Sequence, residues 1–579
     1  MRVNSKGFKG SILLIALIIV LSACSSGNKN SNTTPSPSTT SSPSAEATPV
    51  EIEPTTVKLY VIKGAVPMVS GIQDDAVAKE IERVTGVKMD IEVAPNDDKV
   101  KVMVATGDLP DLTLIIDPTL IDPLVKSGNL LDLSPYLDKA PNLQNNASQA
   151  IGYSRDVFSG GTGGLYALPA RAKKIASPVA DSQNGQYLRW DYYKELGYPQ
   201  INNEDDLISV VGDMVKNHPV TKDGKKVYGW TTWTDWGMFG YTNNTMYAKY
   251  SGLTGFGEFA NYYPNTNEFV SILDDRHLLW RGAQLLNKAN RAGLLDPESF
   301  TQKGDTGVQK INEGRVMALS SEWISKAINT SLIAESGGNS SYQDVPMPDT
   351  AEYPAWYDRS VPFGFSSRMF VVSAKTKVPE QVMKLLDYLY SEEGARTIFS
   401  GVKGTTWTEE GGKASITPET LATVATDVKF KEAQGIHKYE TMVGLDYDAL
   451  ATSGQFLDLF LEPSAQTASL TEADKDYIQF YKAESKLDVI GMRENKTTVN
   501  QGIASLAPIP DPDQKRIEAK LNDYLTQILP KLILSKDEVS YKAEKEKIFA
   551  ELKKLKVESV IKFYEDGFKI ALDKVNSYK

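Results

Sequence analysis

The chain has 579 residues and carries 63 Lys and Arg against 74 Asp and Glu. Three of the basic residues and none of the acidic ones lie within residues 1–23; without them the balance is 60 against 74, a net of −14. That acidic excess argues against a nucleic-acid binder and against adhesion to anionic lipid by charge, and three widely spaced His with one Cys leave little for a zinc site.

The first segment reads as a secretory signal. Arg2, Lys6 and Lys9 precede an apolar run over 11–21, too short to span a bilayer comfortably, and Ser22 and Ala23 lead to Cys24. Residues 21–24, Leu-Ser-Ala-Cys, resemble the bacterial lipobox, which implies cleavage before Cys24 and diacylation of its thiol. The competing reading is an ordinary signal with a chance Cys. Cys24 is the only cysteine, so no intrachain disulfide is possible, and the thiol makes best sense as a membrane anchor. Each buried CH₂ of an acyl chain contributes roughly 0.8 kcal/mol. Residues 25–54 are rich in Ser, Thr and Pro without apolar periodicity and read as a disordered tether. The expected location is the outer face of the bacterial cytoplasmic membrane.

The folded body begins near residue 55. Residues 56–62 read as a strand. Residues 73–86 read as a helix, with Val77, Ile81 and Val84 on one face, Asp74 or Asp75 as cap and Gly86 at its end. Residues 87–93 alternate cleanly, 96–107 return to a helix, 108–116 give a third strand and 118–129 a third helix. This alternation predicts a mainly parallel sheet with right-handed crossovers, and ligands on such sheets bind beyond the carboxyl ends of the strands. Further on, Pro379 opens a helix with Val382, Leu385, Leu386 and Leu389 on one face. Residues 430–579 are mostly helical by pattern. The Glu/Lys-dense run 541–572 reads as the solvated face of packed helix, or as a coiled-coil partner.

Segments 105–115, 127–139, 163–171, 187–207, 285–300, 311–324 and 367–407 are similar, in that order, to the landmarks of bacterial extracellular solute-binding proteins for carbohydrates, the maltose-binding-protein-like family. Each motif alone is loose; their order is specific. The resemblance implies a two-lobed α/β fold of the periplasmic-binding-protein type II, with mainly parallel sheets, helices on both faces and a helical C-terminal region. It places lobe one at 55–170 plus 368–425 and lobe two at 171–367 plus 426–579. It further implies a monomer that captures a carbohydrate for an ABC permease, without cofactor or metal and without catalysis.

A sugar offers apolar C–H faces and hydroxyl edges. Aromatic rings must cover the former, and fixed carboxylates, amides or guanidinium groups must replace the water on the latter. The stretch 228–241 supplies Trp230, Trp233 and Trp236 around Asp235, set among Gly and Thr that favour an irregular segment. The resemblance puts a sugar-stacking Trp at Trp323, with Glu322 beside it. Trp356, Tyr357, Asp358 and Arg359 precede the return crossing; Arg171 and Arg368 stand at the two crossings; Asp117 and Lys63 follow the third and first strands. Each has a structural rival: core packing for the indoles, an interlobe ion pair for the arginines, helix capping for Asp117. Trp407 is a weaker candidate, and Arg189 and Asp191 read as structural. Arg171, Lys173 and Lys174 form a basic cluster, either solvated or set to meet an acidic sugar.

Two other functions compete. A secreted glycoside hydrolase needs paired carboxylates roughly 5–9.5 Å apart, and no motif marks such a pair. A cell-surface adhesin explains the anchor but not the strand–helix order. The Gly-rich 160–164 lacks the Lys of a P-loop, and no GxSxG elbow occurs. The sequence names neither the sugar nor its charge, and peptide binders share the architecture. No ordered Asp/Asn/Gly calcium loop appears.

Overall fold

The structure, a computed structural model, describes residues 54–62, 66–94, 98–175, 184–235, 237, 258–263, 268–321, 332–345, 355–358, 363–427, 429–491, 496–498 and 506–574. The signal, Cys24 and the tether lie outside the described residues.

Strand β1 (Thr55–Ile62) buries Val57, Leu59, Tyr60 and Val61. It pairs in parallel with β3 (Val87–Ala94), from Thr55↔Val87 to Ile62↔Ala94, and with β4 (Leu112–Ile115). The period-2 pattern of β3 holds over Val87, Met89 and Ile91, all buried, and lapses at its end, where Val93 is half-buried and Ala94 buried. Between β1 and β3 come β2 (Gly71–Ile72) and the helix Ala76–Thr85. Asp75, not Asp74, caps that helix, accepting from the Ala78 N–H at 2.9 Å. Gly86 ends it in the left-handed region (φ 70°), where a Cβ is unfavourable. The second helix runs Asp98–Thr106 and the third is short, Ile121–Lys126. A return strand, Phe365–Val372, runs antiparallel between β4 and β5 (Ala167–Ala170). The sheet order is β2-β3-β1-β4-return-β5. The carboxyl ends of β1, β3, β4 and β5 therefore share one edge with the start of the return strand.

A second sheet joins Asn184–Arg189 to Tyr342–Asp344 and Ala318–Ser321, antiparallel throughout, where a parallel arrangement was expected. Long stretches of chain separate these strands, so no tight strand–helix–strand crossover imposes a parallel direction. Two large apolar clusters result, one on each sheet. The C-terminal helices Pro512–Ile533, Glu538–Lys554 and Val557–Lys574 pack into the second cluster through Leu521, Leu525, Leu529, Ile548, Leu552, Val560 and Phe568. Burying each such side chain contributes about 1.5–3 kcal/mol. The dense Glu and Lys of 541–572 lie mostly on the outer faces of two of these helices, as in the exposed pair Lys562–Asp566. Ile436, Tyr439, Met442, Val443, Leu445 and Leu457 pack into the first cluster, although the sequence reading groups this segment with lobe two. The Tyr439 hydroxyl (2.5 Å) and Lys438 Nζ (2.8 Å) bind Asp75 of the first lobe. Among the described residues, no helix is long and apolar enough to cross a membrane.

Candidate functional site

The carboxyl edge of the first sheet collects three of the expected residues. Asp117 follows β4 and does cap: it accepts from the Thr119 N–H (3.0 Å) and hydroxyl (2.6 Å) at the turn Pro118–Leu120. Its other oxygen faces Lys515 Nζ at 3.3 Å. Lys515 lies in the first turn of the Pro512–Ile533 helix, which belongs to the second core. Asp117 thus ties the sheet of the first cluster to a helix of the second. Burial alone would raise its carboxyl; the Thr119 hydrogen bonds and the Lys515 charge outweigh that and hold it below the ordinary value.

Arg171 follows β5 at φ 60°, a left-handed conformation costly for a residue with a Cβ. Its backbone N–H donates to the Val443 carbonyl at 3.1 Å, and its side chain is held as well. Its Nε donates to Asp446 at 2.6 Å, and its guanidinium lies 5.1 Å from the centre of the Tyr447 ring. Lys173 is buried and paired with Asp448 at 2.7 Å. The basic cluster is therefore not a solvated surface at Arg171 and Lys173; only Lys174 is exposed, with Asn146 Oδ1 at 3.3 Å. Asp446, Tyr447 and Asp448 were not singled out from the sequence. They lie far along the chain, and nothing local marks them as partners of the first crossing.

Arg368 stands on the return strand at an irregularity. The return strand pairs Phe365 with Ala170 and then Met369 with Pro169, so residues 366–368 are extra on one side. Nη1 of Arg368 is buried and has no hydrogen-bond acceptor among the described residues. Burial, with the nearby positive charge of Arg171, pushes its guanidinium down to about 10.

The aromatic stretch behaves differently. Trp230 fills the second core and Trp233 a smaller cluster with Tyr187, Ile311, Val316, Leu319 and Tyr342. Both are almost wholly buried, 1% and 0% exposed, so neither presents a face to a ligand in this conformation. A Cβ on Gly307 would overlap the Trp233 ring. Thr231 and Thr232 between them enter a buried polar network. The Thr231 hydroxyl donates to Asp296 (2.8 Å), Gln302 Nε2 to the Thr232 carbonyl (2.6 Å), and Lys310 Nζ meets Asp296 at 2.6 Å. Asp235 is exposed and accepts from the Gly304 N–H at 2.8 Å, at the start of the helix Gly304–Asn312.

Trp236, Glu322, Trp323, Arg359 and Lys63 lie outside the described residues. Trp356, Tyr357 and Asp358 fall on the strand Ala355–Asp358, which pairs in parallel with Lys496–Thr498. Trp407 is buried, its indole N–H donating to the Gly401 carbonyl at 2.8 Å. Arg189 and Asp191 form a local two-point ion pair, matching their structural reading. A polar depression of about 640 Å³ is lined by Thr85, Lys139, Asn142, Tyr388 and Glu392 among others; Lys174 of the basic cluster lines it, and none of the other expected site residues does. Among the described residues, no group of three His, Cys, Asp or Glu is placed to hold a metal ion.

A charged edge at the strand ends of one lobe, met there by a helix from a second, separately cored lobe, defines a two-lobed solute-binding architecture. The chain belongs to the bacterial extracellular solute-binding protein family, whose model matches residues 70–396, more than half of its length. Solved structures with the same fold include the Streptococcus pneumoniae ABC-transporter substrate binding protein FusA in complex with kestose. It has a TM-score of 0.62 and 17% identity over 91% of this chain and 100% of that one. The alginate-binding protein AlgQ2 without calcium ion gives 0.58 and 18% over 89% and 98%. An HMO binding, ABC-transporter-associated solute-binding protein from Bifidobacterium longum infantis gives 0.58 and 15% over 91% and 100%. No curated protein matches in sequence.

Proposed function

We propose that this protein is the substrate-binding component of an ABC importer and captures an oligosaccharide between its lobes, breaking no bond. The observation that carries the proposal is the meeting of Asp117, Arg171 and Arg368 at the carboxyl edge of the first sheet, where Lys515 of the second lobe reaches across. Ligands on open α/β sheets bind at such an edge. A ligand touching both lobes favours the closed form by its differential affinity alone. The similar folds of FusA, in complex with kestose, and of the HMO-binding Bifidobacterium protein support a carbohydrate.

In this reading Asp117 offers acceptor oxygens to hydroxyls, and Arg171 and Arg368 offer donors. Trp323, Trp236, Trp356 and Tyr357 supply stacking faces, with Glu322, Asp358, Arg359 and Lys63 as polar partners. Trp230 and Trp233 support the wall from behind, and Asp235 fixes the helix at Gly304. Lobe one comprises 55–170 and the chain from the return strand through the 436–457 segment; lobe two holds the rest, including the C-terminal helices. The monomer is held outside the cell by acyl chains on Cys24, near its permease.

Calorimetry against a panel of neutral and acidic oligosaccharides, with product analysis of the same mixtures, tests this. Unaltered sugar bound near micromolar, about −8 kcal/mol, is the expected result. Shortened sugars would make the protein a hydrolase, and no heat with any sugar would end the carbohydrate reading.

A further inference from the structure

The basic groups at the carboxyl edge differ in how they are satisfied. Arg171 has Asp446, Lys173 has Asp448, and Lys515 has Asp117. Arg368 has a buried Nη1 with no acceptor among the described residues. Its position is built rather than incidental. The return strand gains residues 366–368 against β5 while keeping Met369↔Ile115 against β4, and a bulge of this kind re-aims a side chain. Gly364, just before, sits at φ 78°, and any Cβ there would run into the Pro169 and Ala170 backbone. The start of the return strand is therefore pressed onto the end of β5, beside Arg171.

A buried guanidinium N–H without an acceptor in such a place costs free energy that an incoming group recovers. A neutral hydroxyl would accept one hydrogen bond but leave the charge, which Glu440 and Asp446 offset only in part, facing Arg171. An anionic oxygen group accepts the bond and offsets the charge together, and the planar fork of Arg suits it. We infer that Arg368 receives an anionic substituent of the ligand, so that the captured oligosaccharide is acidic, carrying a uronic-acid carboxylate or a sulfate ester. The inference rests on the carbohydrate-capture reading.

The test titrates the mature protein with galacturonate, glucuronate and mannuronate oligosaccharides, each beside its carboxyl-reduced neutral counterpart, and with sulfated neutral oligosaccharides. An acidic member binds about 10- to 100-fold more tightly than its neutral counterpart, the span of one charge-assisted hydrogen bond. Arg368→Gln abolishes that preference, so that each acidic member binds no more tightly than its neutral counterpart; Arg368→Lys keeps part of it. Tighter binding of the sulfated members than of the uronates supports the inference and names the sulfate ester as the group. Ligand-free Arg368→Gln melts no lower than the parent, because it removes a buried N–H without an acceptor and a charge that burial and Arg171 disfavour; if it fails to fold, the Lys variant carries the comparison. Neutral sugars that bind as tightly as acidic ones, with Arg368→Gln without effect on either, overturn the inference and leave carbohydrate capture standing. Silence with every sugar overturns both.

Discussion

Trp233→Ala separates core from cleft. The indole is fully buried among Tyr187, Ile311, Val316, Leu319 and Tyr342, with one face against Gly307. A Trp buries on the order of 150–250 Å², which at about 25 cal/mol per Å² is about 4–6 kcal/mol. Large-to-small substitutions at such sites cost about 3–5 kcal/mol. The two figures agree, and the loss is a sizeable part of a typical total of about 5–15 kcal/mol. Urea denaturation should show it as a lower midpoint at unchanged slope. Sugar affinity of the folded protein should stay within about twofold, since surface and core changes away from a site act on stability rather than on binding. Gly307→Ala gives an internal check. In the parent its new methyl overlaps the ring and costs about 1–3 kcal/mol. In the Trp233→Ala background the same methyl enters the vacated space, so the two costs should not add. Affinity lost tenfold with the urea midpoint unmoved would refute the placement of Trp233 in the core and return it to the cleft wall.

Further outcomes follow from other contacts. Lys310→Met leaves Asp296, wholly buried, without its cation and should cost about 3–5 kcal/mol by urea denaturation; a loss under 1 kcal/mol would mean that Thr231 and Gln302 suffice. Lys515→Met removes the half-exposed bridge to Asp117, worth at most about 1 kcal/mol. Small-angle scattering of the ligand-free protein should show a wider envelope at low salt, a difference that fades in molar NaCl; identical curves would remove the bridge from lobe closure. His277 is buried, and burial lowers it to about 3 in the fold against 6.5 free. Below pH 6.5 the unfolded chain binds the extra proton, so stability falls as pH drops from about 6.5 towards 3, by up to about 1.4 kcal/mol per pH unit. His277→Asn, which keeps a capping group, should flatten that slope; an unchanged slope would assign it elsewhere. Cys24→Ser should move the protein from the membrane fraction to the medium, and retention at the membrane would count against the lipid anchor.

Several features were legible in the chain alone because they depend on residues a few places apart. The alternation of β3, the Asp75 cap, the Gly86 stop and the apolar stripe after Pro379 arise from local backbone geometry. The order of motifs carried the family, and the position of Asp117 just past β4 carried its place at the carboxyl edge of the sheet. Which way side chains face was not legible. Trp230 and Trp233 look like a cleft wall in a Gly-rich stretch, yet the strand Ala318–Ser321 and the helices at 278–291 and 304–312 arrive from elsewhere to bury them. Arg171 and Lys173 look solvated until residues 446–448 fold back onto the first crossing. The register jump that isolates Arg368 exists only where β4, β5 and the return strand meet. Periodicity reports what a residue's near neighbours permit, whereas burial and ion pairing depend on segments that the chain brings together only when it folds.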